Sequence, residues 1–308
     1  MRVVLALGGN ALLRRGEAPE EAAQRRNVRN AVAAIAEVAR NHDVIITHGN
    51  GPQIGLLALQ SASFKDVLPY SFDVLGAEST GMIGYLLEEA LAAELPERET
   101  ATLLTLVEVS PDDPAFAEPT KPIGPLYDEA ESRVLAARTG WVFMPDGGGF
   151  RRALASPRPQ RIRGLAAIES LVRAGAITIC CGGGGIPVVR EAGGRLRGVE
   201  AVIDKDFTSA MLAEAISADA LLLLTDVPGV WTEWPNPKGP PMARATPDFL
   251  RRYEFAAGSM GPKVEAACRF VERTGGYAAI GSTGQAPAVL AGKAGTVIAP
   301  DSSPERRT

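Results

Sequence analysis

Two carboxylates flank one ammonium group in the segment Asp204-Lys205-Asp206. An apolar run, 201–203, precedes the segment, and apolar residues at helical spacing follow it. Buried charges persist only when they are paired or hold a charged ligand, and the free N–H groups at a helix start favour anions. The segment therefore indicates a binding site for a charged group. A solvated surface turn with Asp206 as the helix N-cap fits the same residues.

Lysine is rare in this chain, so the position of each lysine is informative. Only six of the 32 basic residues are lysines, and three of these lie in short segments rich in Gly, Pro or Asp: Lys121, Lys205 and Lys263. The ammonium group is a compact charge that can follow a moving phosphoryl group, whereas guanidinium is a rigid fork. Lys263 precedes a predicted helix, 264–273, where a cation is unfavourable unless an anion is present. Chance placement of these lysines in loops is the alternative.

Three glycine-rich segments follow predicted buried strands: Gly8-Gly9-Asn10 after residues 2–7, His48-Gly49-Asn50-Gly51 after residues 44–47, and Gly182-Gly183-Gly184-Gly185 after residues 176–181. Glycine lets backbone N–H groups approach an anion closely, although the Walker and dinucleotide spacings are both absent. His48 could act as a base. A structural role for its side chain in orienting the loop is favoured, because no partner residue is evident.

The order of strand, glycine-rich loop and helix repeats along the chain, which predicts an α/β fold with a parallel sheet. Ligands in such sheets bind outside the carboxyl ends of the strands, where these loops lie. Residues 101–109 are predicted to form a single third strand. Prolines and glycines cluster between about 110 and 163, and this region is predicted to be a protruding lid of short hairpins that carries Lys121.

Composition excludes several classes of function. The formal net charge of -4 argues against a nucleic-acid or anionic-membrane partner, and no apolar run is long enough to span a bilayer. Three cysteines, two of them adjacent, cannot form a disulfide framework, so we expect a reducing compartment, the cytoplasm.

The glycine loops, isolated lysines and paired acids together predict phosphoryl transfer. This reaction needs positioning and positive charge around the transferred group, and it needs little covalent help from the protein. Lysines on opposite sides of the phosphoryl group can neutralise its spreading charge, and a carboxylate between them keeps them apart. Magnesium is expected with the nucleotide, held mainly by phosphates and water.

From end to end, the chain resembles the carbamate kinases of the amino-acid-kinase family. The matching stretches are Ala6-Leu7-Gly8-Gly9-Asn10, His48-Gly49-Asn50-Gly51-Pro52-Gln53, Pro119-Thr120-Lys121-Pro122-Ile123-Gly124-Pro125, Cys181-Gly182-Gly183-Gly184-Gly185-Ile186-Pro187, Val202-Ile203-Asp204-Lys205-Asp206 and Gly258-Ser259-Met260-Gly261-Pro262-Lys263. The segment 146–152 departs from the family pattern, because it lacks an arginine between its glycines and is one residue shorter.

The resemblance implies a three-layer open α/β sandwich around a largely parallel sheet, and a homodimer. It implies an N-terminal lobe, 1–215, with a protruding subdomain at about 110–165, and a C-terminal nucleotide lobe, 216–308. The implied reaction is reversible phosphoryl transfer between ATP and carbamate, giving ADP and carbamoyl phosphate, with Mg²⁺ as the cofactor.

The resemblance also implies roles for individual residues. Those implied in catalysis are Lys121, Lys205, Asp206 and Lys263. Those implied at the carbamoyl end are Gly8, Gly9, Asn10, Gly49, Asn50, Gly51, Gly183 and Gly184. Those implied at the nucleotide are Asp204, Lys205, Thr225, Asp226, Val230, Met260 and Lys263.

Other functions stay open on the sequence alone. One is a kinase of another small acid or of a phosphate, and a second is a non-catalytic nucleotide sensor that kept the fold. A dehydrogenase is a weaker alternative, because no G-x-G-x-x-G pattern follows the first strand. The direction of the reaction is also open. It could run towards ATP in arginine, agmatine or purine catabolism, or towards carbamoyl phosphate in biosynthesis.

Overall fold

The structure is a computed structural model that describes residues 1–14, 17–63, 67–233, 239–256, 258–300 and 305–306. Its strands are β1 (Arg2–Leu7), β2 (Asp43–His48), β3 (Thr100–Thr102), β4 (Leu106–Val109), β5 (Lys121–Tyr127), β6 (Phe143–Asp146), β7 (Gly149–Leu154), β8 (Pro159–Ile162), β9 (Ile177–Ile179), β10 (Ile186–Arg190), β11 (Leu196–Gly198), β12 (Ala220–Thr225), β13 (Met242–Ala245), β14 (Tyr277–Ser282), β15 (Thr296–Ile298) and β16 (Glu305–Arg306). Its helices are α1 (Gly9–Leu12), α2 (Glu21–Ala39), α3 (Gly51–Ser63), α4 (Phe72–Glu94), α5 (Glu129–Thr139), α6 (Leu165–Arg173), α7 (Lys205–Ala215), α8 (Pro247–Leu250), α9 (Met260–Thr274) and α10 (Ala286–Leu290).

A central sheet runs through the described part of the chain in the order β16-β13-β15-β14-β12-β1-β2-β9-β3. The neighbours from β14 to β3 are all parallel, whereas β14 and β15 are antiparallel. The prediction of a largely parallel sheet is therefore confirmed. Because β12, β1 and β2 are adjacent and parallel, the loops that follow them leave the sheet at the same edge.

Alternate residues of the central strands pack against two different layers of helices. Leu5 and Leu222 face the layer formed by α2, α4 and α10, while Ala6 and Leu223 face the layer formed by α6, α7 and α9. Strands covered on both faces are apolar throughout, which explains the continuous apolar runs of β1 and β12. Three layers result. Among the described residues, none of the helices is long and apolar enough to cross a membrane.

Two smaller sheets flank the central sheet. We call the sheet of β11, β10, β4 and β8 the side sheet, and the sheet of β5, β7 and β6 the outer sheet. The outer sheet forms within the region predicted to be a lid of hairpins, and Lys121 is the first residue of β5. A small apolar cluster joins the outer sheet to α3 and α4; it includes Ile123, Leu154, Ile54 and Phe72.

Two predictions about secondary structure are wrong. The predicted single strand 101–109 is divided, because β3 belongs to the central sheet and β4 to the side sheet. The region of predicted hairpins also contains a helix, α5. Its ends carry ordinary capping signals: the Asp128 carboxylate accepts a hydrogen bond from the Glu131 N–H, and Gly140 ends the helix with a φ of 73°.

We expect Leu222→Ala to lower the free energy of unfolding by about 2–5 kcal/mol, because Leu222 is fully buried on the middle strand of the central sheet and its truncation leaves a cavity. Urea denaturation followed by circular dichroism measures this change. Leu104→Ala is the matched control, because Leu104 is 58% exposed and its truncation creates no enclosed space. Equal losses in the two variants would contradict a core layered on both faces of the central sheet.

Candidate active site

The charged segment 204–206 forms the start of α7. The Asp204 carboxylate accepts a hydrogen bond from the Asp206 N–H at 3.0 Å, so Asp204 is the N-cap. Asp206 lies in the first turn and is only 3% exposed. The alternative of a solvated turn capped by Asp206 is therefore wrong. A buried carboxylate at this position requires partners of opposite charge.

Asp206 lies between two ammonium groups that come from different helices. Lys205 Nζ forms an ion pair with one carboxylate oxygen, and Lys263 Nζ donates to the other at 3.0 Å. Helix α9, which carries Lys263, begins at Met260 rather than at residue 264, so Lys263 lies one turn inside the helix. The anion that the sequence required near Lys263 is, in this structure, the Asp206 carboxylate.

Burial and charge act in opposite directions on this triad. Burial by itself would raise the pKa of Asp206, but the charges of Lys205 and Lys263 outweigh it and hold the pKa below its usual value. Burial lowers the pKa of the Lys205 amine, and the positive charge of Lys263 lowers it further. The charge of Asp206 raises this pKa but does not outweigh the burial. Two closely spaced cations thus share one carboxylate, and a second anion placed beside them would be strongly favoured.

A third lysine approaches the same helix start from the outer sheet. Lys121 Nζ lies 3.8 Å from the Asp204 carboxylate, and the Lys121 side chain is about one-third exposed. Lysines that are separated by 84 and 58 residues in the sequence therefore surround two acids at one end of α7. A side chain with this exposure can move towards a ligand, whereas Lys205 and Lys263 are held in place.

The glycine-rich loops pack so closely that side chains would not fit between them. A Cβ atom on Gly49 would lie 2.9 Å from the Gly9 nitrogen, and the Gly49 N–H donates to the Leu7 carbonyl at 2.9 Å. Gly183 has a φ of 65°, and a Cβ there would overlap the Asn50 side chain. Backbone groups therefore form the surface of this end of the site, which suits a small anionic ligand.

Most of the predicted site residues line one cleft of about 590 Å³. Those in the lining are Gly8, Gly9, Gly49, Asn50, Gly51, Lys121, Gly183, Asp204, Lys205, Asp206, Thr225, Asp226, Met260 and Lys263. Gly184 and Val230 are not part of the lining. Gly184 packs behind it against the Ile203 carbonyl, and Val230 is buried, with its N–H bonded to Thr296 Oγ1 at 2.9 Å. The side chain of Asn10 lies outside the described part of the chain.

The lining also contains residues that the sequence analysis missed. The most distinctive are Trp231 and Phe255, with Thr232 and Glu254 beside them. An apolar aromatic wall with a few polar groups suits a planar heterocycle such as a nucleobase. Trp231 is one of only three tryptophans, and it lies soon after the carboxyl end of β12. A rare aromatic residue in this position could have indicated from the sequence that Trp231 lines the cleft.

His48 is fully buried at the end of β2, beneath the cleft. Its Nδ1 donates to the Gly49 carbonyl at 3.1 Å, and burial lowers its pKa to about 4. A neutral, buried imidazole supports the loop, as predicted, and does not face the cleft as a base.

Comparison with known proteins identifies the class. Residues 1–282 match the model of the Amino acid kinase family. The chain is 52% identical to the carbamate kinase of Rhizobium meliloti (strain 1021), over 97% of this chain and 93% of that protein. It is 49% identical to the carbamate kinase of Escherichia coli (strain K12), over 96% of this chain and 98% of that protein. The solved carbamate kinase from Giardia lamblia bound to AMP-PNP is 37% identical, with a TM-score of 0.91 over 97% of this chain and 98% of that chain.

The chain therefore belongs to the amino acid kinase family, as its three-layer fold and lysine-lined cleft indicate. More narrowly, its relatives assign it to the carbamate kinases of that family. The resemblance and the fold class predicted from the sequence are both confirmed.

The burial of His48 predicts a dependence of stability on pH. Between pH 6.5 and about 4, the unfolded chain binds a proton at His48 that the folded protein does not. The free energy of unfolding should therefore fall as the pH falls through this window, by up to about 3 kcal/mol from this group. In His48→Asn, thermal melts should show a shallower loss of stability from pH 7 to pH 4.5 than in the wild type. Identical pH profiles would contradict the neutral state assigned to His48.

Proposed function

We propose that the protein catalyses reversible phosphoryl transfer between ATP and carbamate, giving ADP and carbamoyl phosphate. The observation that carries the proposal is the set of three lysines, Lys121, Lys205 and Lys263, around the two acids at the start of α7. Membership in the carbamate kinases supplies the acceptor. Together they support a kinase whose transferred group lies in this cleft.

The proposed chemistry needs no covalent intermediate on the protein. A carbamate oxygen forms a bond to the γ-phosphorus, while the bond from that phosphorus to the bridging oxygen of ADP breaks. Negative charge spreads over the three equatorial oxygens, and lysines placed on different sides stabilise it. In this proposal Lys205 and Lys263 contact the transferred group, and Asp206 keeps their ammonium groups apart and aimed at it.

We assign the two ends of the cleft to the two substrates. The glycine-rich end, with its closely packed backbone, suits the small carbamoyl group, and Lys121 enters there from the outer sheet. The end with aromatic residues suits the nucleotide. The residues assigned to the nucleotide end are Thr225, Asp226, Trp231, Phe255 and Met260.

We propose that Mg²⁺ enters with the nucleotide as part of the substrate. Within the ranges that the structure describes, no group of three acidic, His or Cys side chains is arranged to hold a metal. Asp206 is engaged by two lysines and Asp204 by one. Phosphate oxygens and water therefore suit the ion better than a protein cage, in line with the ordinary preference of Mg²⁺.

A kinase of another small acid and a non-catalytic nucleotide sensor are not favoured. The relatives at 43–52% identity are carbamate kinases, and all three lysines of the proposed mechanism are present. Turnover measured with a panel of small acids distinguishes a carbamate kinase from a kinase of another acid. Any turnover of carbamoyl phosphate and ADP distinguishes an enzyme from a non-catalytic sensor.

We also propose that the protein is a homodimer that acts in the cytoplasm. Several apolar side chains on α3, on α4 and in the segment between them are exposed in the single chain: Leu59, Val67, Leu68, Tyr70 and Val74. Exposed apolar residues grouped in this way often mark contacts between subunits. The three cysteines are free thiols, which suits a reducing compartment.

We expect Lys205→Met to lower kcat for ATP formation from carbamoyl phosphate and ADP by about 10²–10³-fold, because one charge contact in the transition state is lost. A coupled assay with magnesium measures this change, and circular dichroism checks the fold. Lys293→Met is the matched control, because Lys293 is exposed and outside the lining of the cleft. Absence of turnover in well-folded wild-type protein would refute the proposed function, and near-normal kcat in Lys205→Met would refute the role of Lys205.

Light scattering should give a mass of twice the 32.3 kDa of one chain. Leu68→Asp should shift the mass towards that of the single chain, because a carboxylate would be desolvated in the interface. A wild-type mass of one chain at micromolar concentration would exclude the proposed dimer.

A further inference from the structure

Arg152 is a buried arginine on β7 to which the proposed reaction gives no role. It is 7% exposed, and its guanidinium carbon lies 4.0 Å from the centre of the Trp141 ring and 5.3 Å from that of Phe72. Both terminal nitrogens contact the Glu200 carboxylate, with Nη1 donating to Oε1 at 3.0 Å. A paired, forked and stacked guanidinium of this kind has a single well-defined position.

Glu200 connects three parts of the molecule. It pairs with Arg152 of the outer sheet, and it accepts a hydrogen bond from the Phe72 N–H at 3.4 Å, at the start of α4. Glu200 is also four residues before Asp204, the N-cap of α7. Movement of the outer sheet relative to α4 and α7 would therefore break contacts of this one carboxylate.

Lys121 lies on the strand paired with that of Arg152. In the register of β5 and β7, Ile123 is opposite Arg152 and Lys121 is opposite Leu154. The position of Lys121 is thus set by the strand that Arg152 holds.

Asp204, the residue that Lys121 contacts, is also held near the outer sheet. The segment from Glu200 to Asp204 runs beside the residues that follow β7: the Val202 N–H donates to the Ala155 carbonyl, and Ser156 Oγ donates to the Val202 carbonyl, both at 2.9 Å. Both Lys121 and its neighbour Asp204 are therefore positioned by segments that the Arg152–Glu200 pair joins.

We propose that the Arg152–Glu200 pair is a positioning device that fixes the outer sheet against α4 and α7, so that Lys121 Nζ stays beside the start of α7 at the carbamoyl end of the cleft. The proposal rests on the proposed function for the role of Lys121. Arg152 and Glu200 are positioning residues, because neither lines the cleft.

Kinetics of three variants test the proposal. Arg152→Met and Glu200→Gln should each lower kcat/KM for carbamoyl phosphate by about 10–100-fold, because a small displacement of a reacting group is costly. The KM for ADP should change by less than about twofold, since the contacts of the pair, with Phe72 and Trp141, include no residue assigned to the nucleotide end. Arg152→Lys keeps the charge but loses the fork, so its loss should be intermediate. Arg133→Met is the matched control, because Arg133 lies on α5 of the same region in an ion pair and is 77% exposed.

A double-mutant cycle with Lys121 separates positioning from a general structural effect. If Arg152 acts through Lys121, adding Arg152→Met to the Lys121→Met variant should lower kcat/KM for carbamoyl phosphate by less than about twofold, because the positioned side chain is already absent. The proposal would be overturned if the losses of kcat/KM in the two single variants multiplied in the double variant. It would also be overturned if the KM for ADP rose by as large a factor as kcat/KM for carbamoyl phosphate fell.

Hydrogen exchange provides a readout that does not depend on turnover. Arg152→Met and Glu200→Gln should both speed amide exchange in β5 and β7 while leaving β1 and β12 unchanged, because the outer sheet loses one of its attachments to the body. Unchanged exchange in β5 would overturn the positioning role. If wild-type protein forms no ATP, the proposed function fails, and the exchange result still decides whether the pair holds the outer sheet. Should Arg152→Met fail to fold, Glu200→Gln provides the same test.

Discussion

Two ammonium groups, of Lys205 and Lys263, are held a short distance apart around the Asp206 carboxylate, and the geometry of the cleft depends on this contact. At the low dielectric of a buried site the two cations would repel each other strongly without the anion between them. The contact also requires α7 and α9 to begin side by side, because one lysine comes from each helix. Their apolar faces join the same core cluster beneath the sheet, which includes Ala213 and Phe270, so packing and charge favour one arrangement.

The sheet order explains why the loops meet where the lysines do. Strands β12, β1 and β2 are adjacent and parallel, and their carboxyl ends present Thr225, Gly8 and Gly49 along one edge. The same edge receives the start of α7. A parallel sheet thus brings together backbone groups from three distant segments without any of them being neighbours in sequence. The glycines matter here because the loops touch through their backbones, with no room for side chains between Gly49 and Gly9.

The outer sheet contributes a lysine that differs from the other two. The side chains of Lys205 and Lys263 are paired and only 10% and 13% exposed. The Lys121 side chain is 35% exposed and reaches the helix start from a sheet that is joined to the body by an apolar cluster and the Arg152–Glu200 pair. Such an attachment combines a firm position for the strand with freedom for the side chain. That combination suits a residue that contacts a small ligand only while the ligand is bound.

The sequence by itself determined the class of fold and the strand ends that carry glycine, because apolar periodicity and turn residues report local backbone structure directly. It also singled out the three lysines of the cleft, because lysine is rare in the chain and these three lie in short segments rich in Gly, Pro or Asp. It did not determine which acid caps α7, that residues 101–109 divide between two sheets, or that α5 forms among prolines and glycines. It also missed Trp231 in the cleft and could not tell that Val230 lies behind it. These features were decided by the tertiary structure, since whether a side chain faces a cleft, a core or a charged partner depends on segments far away in the sequence that pack against it.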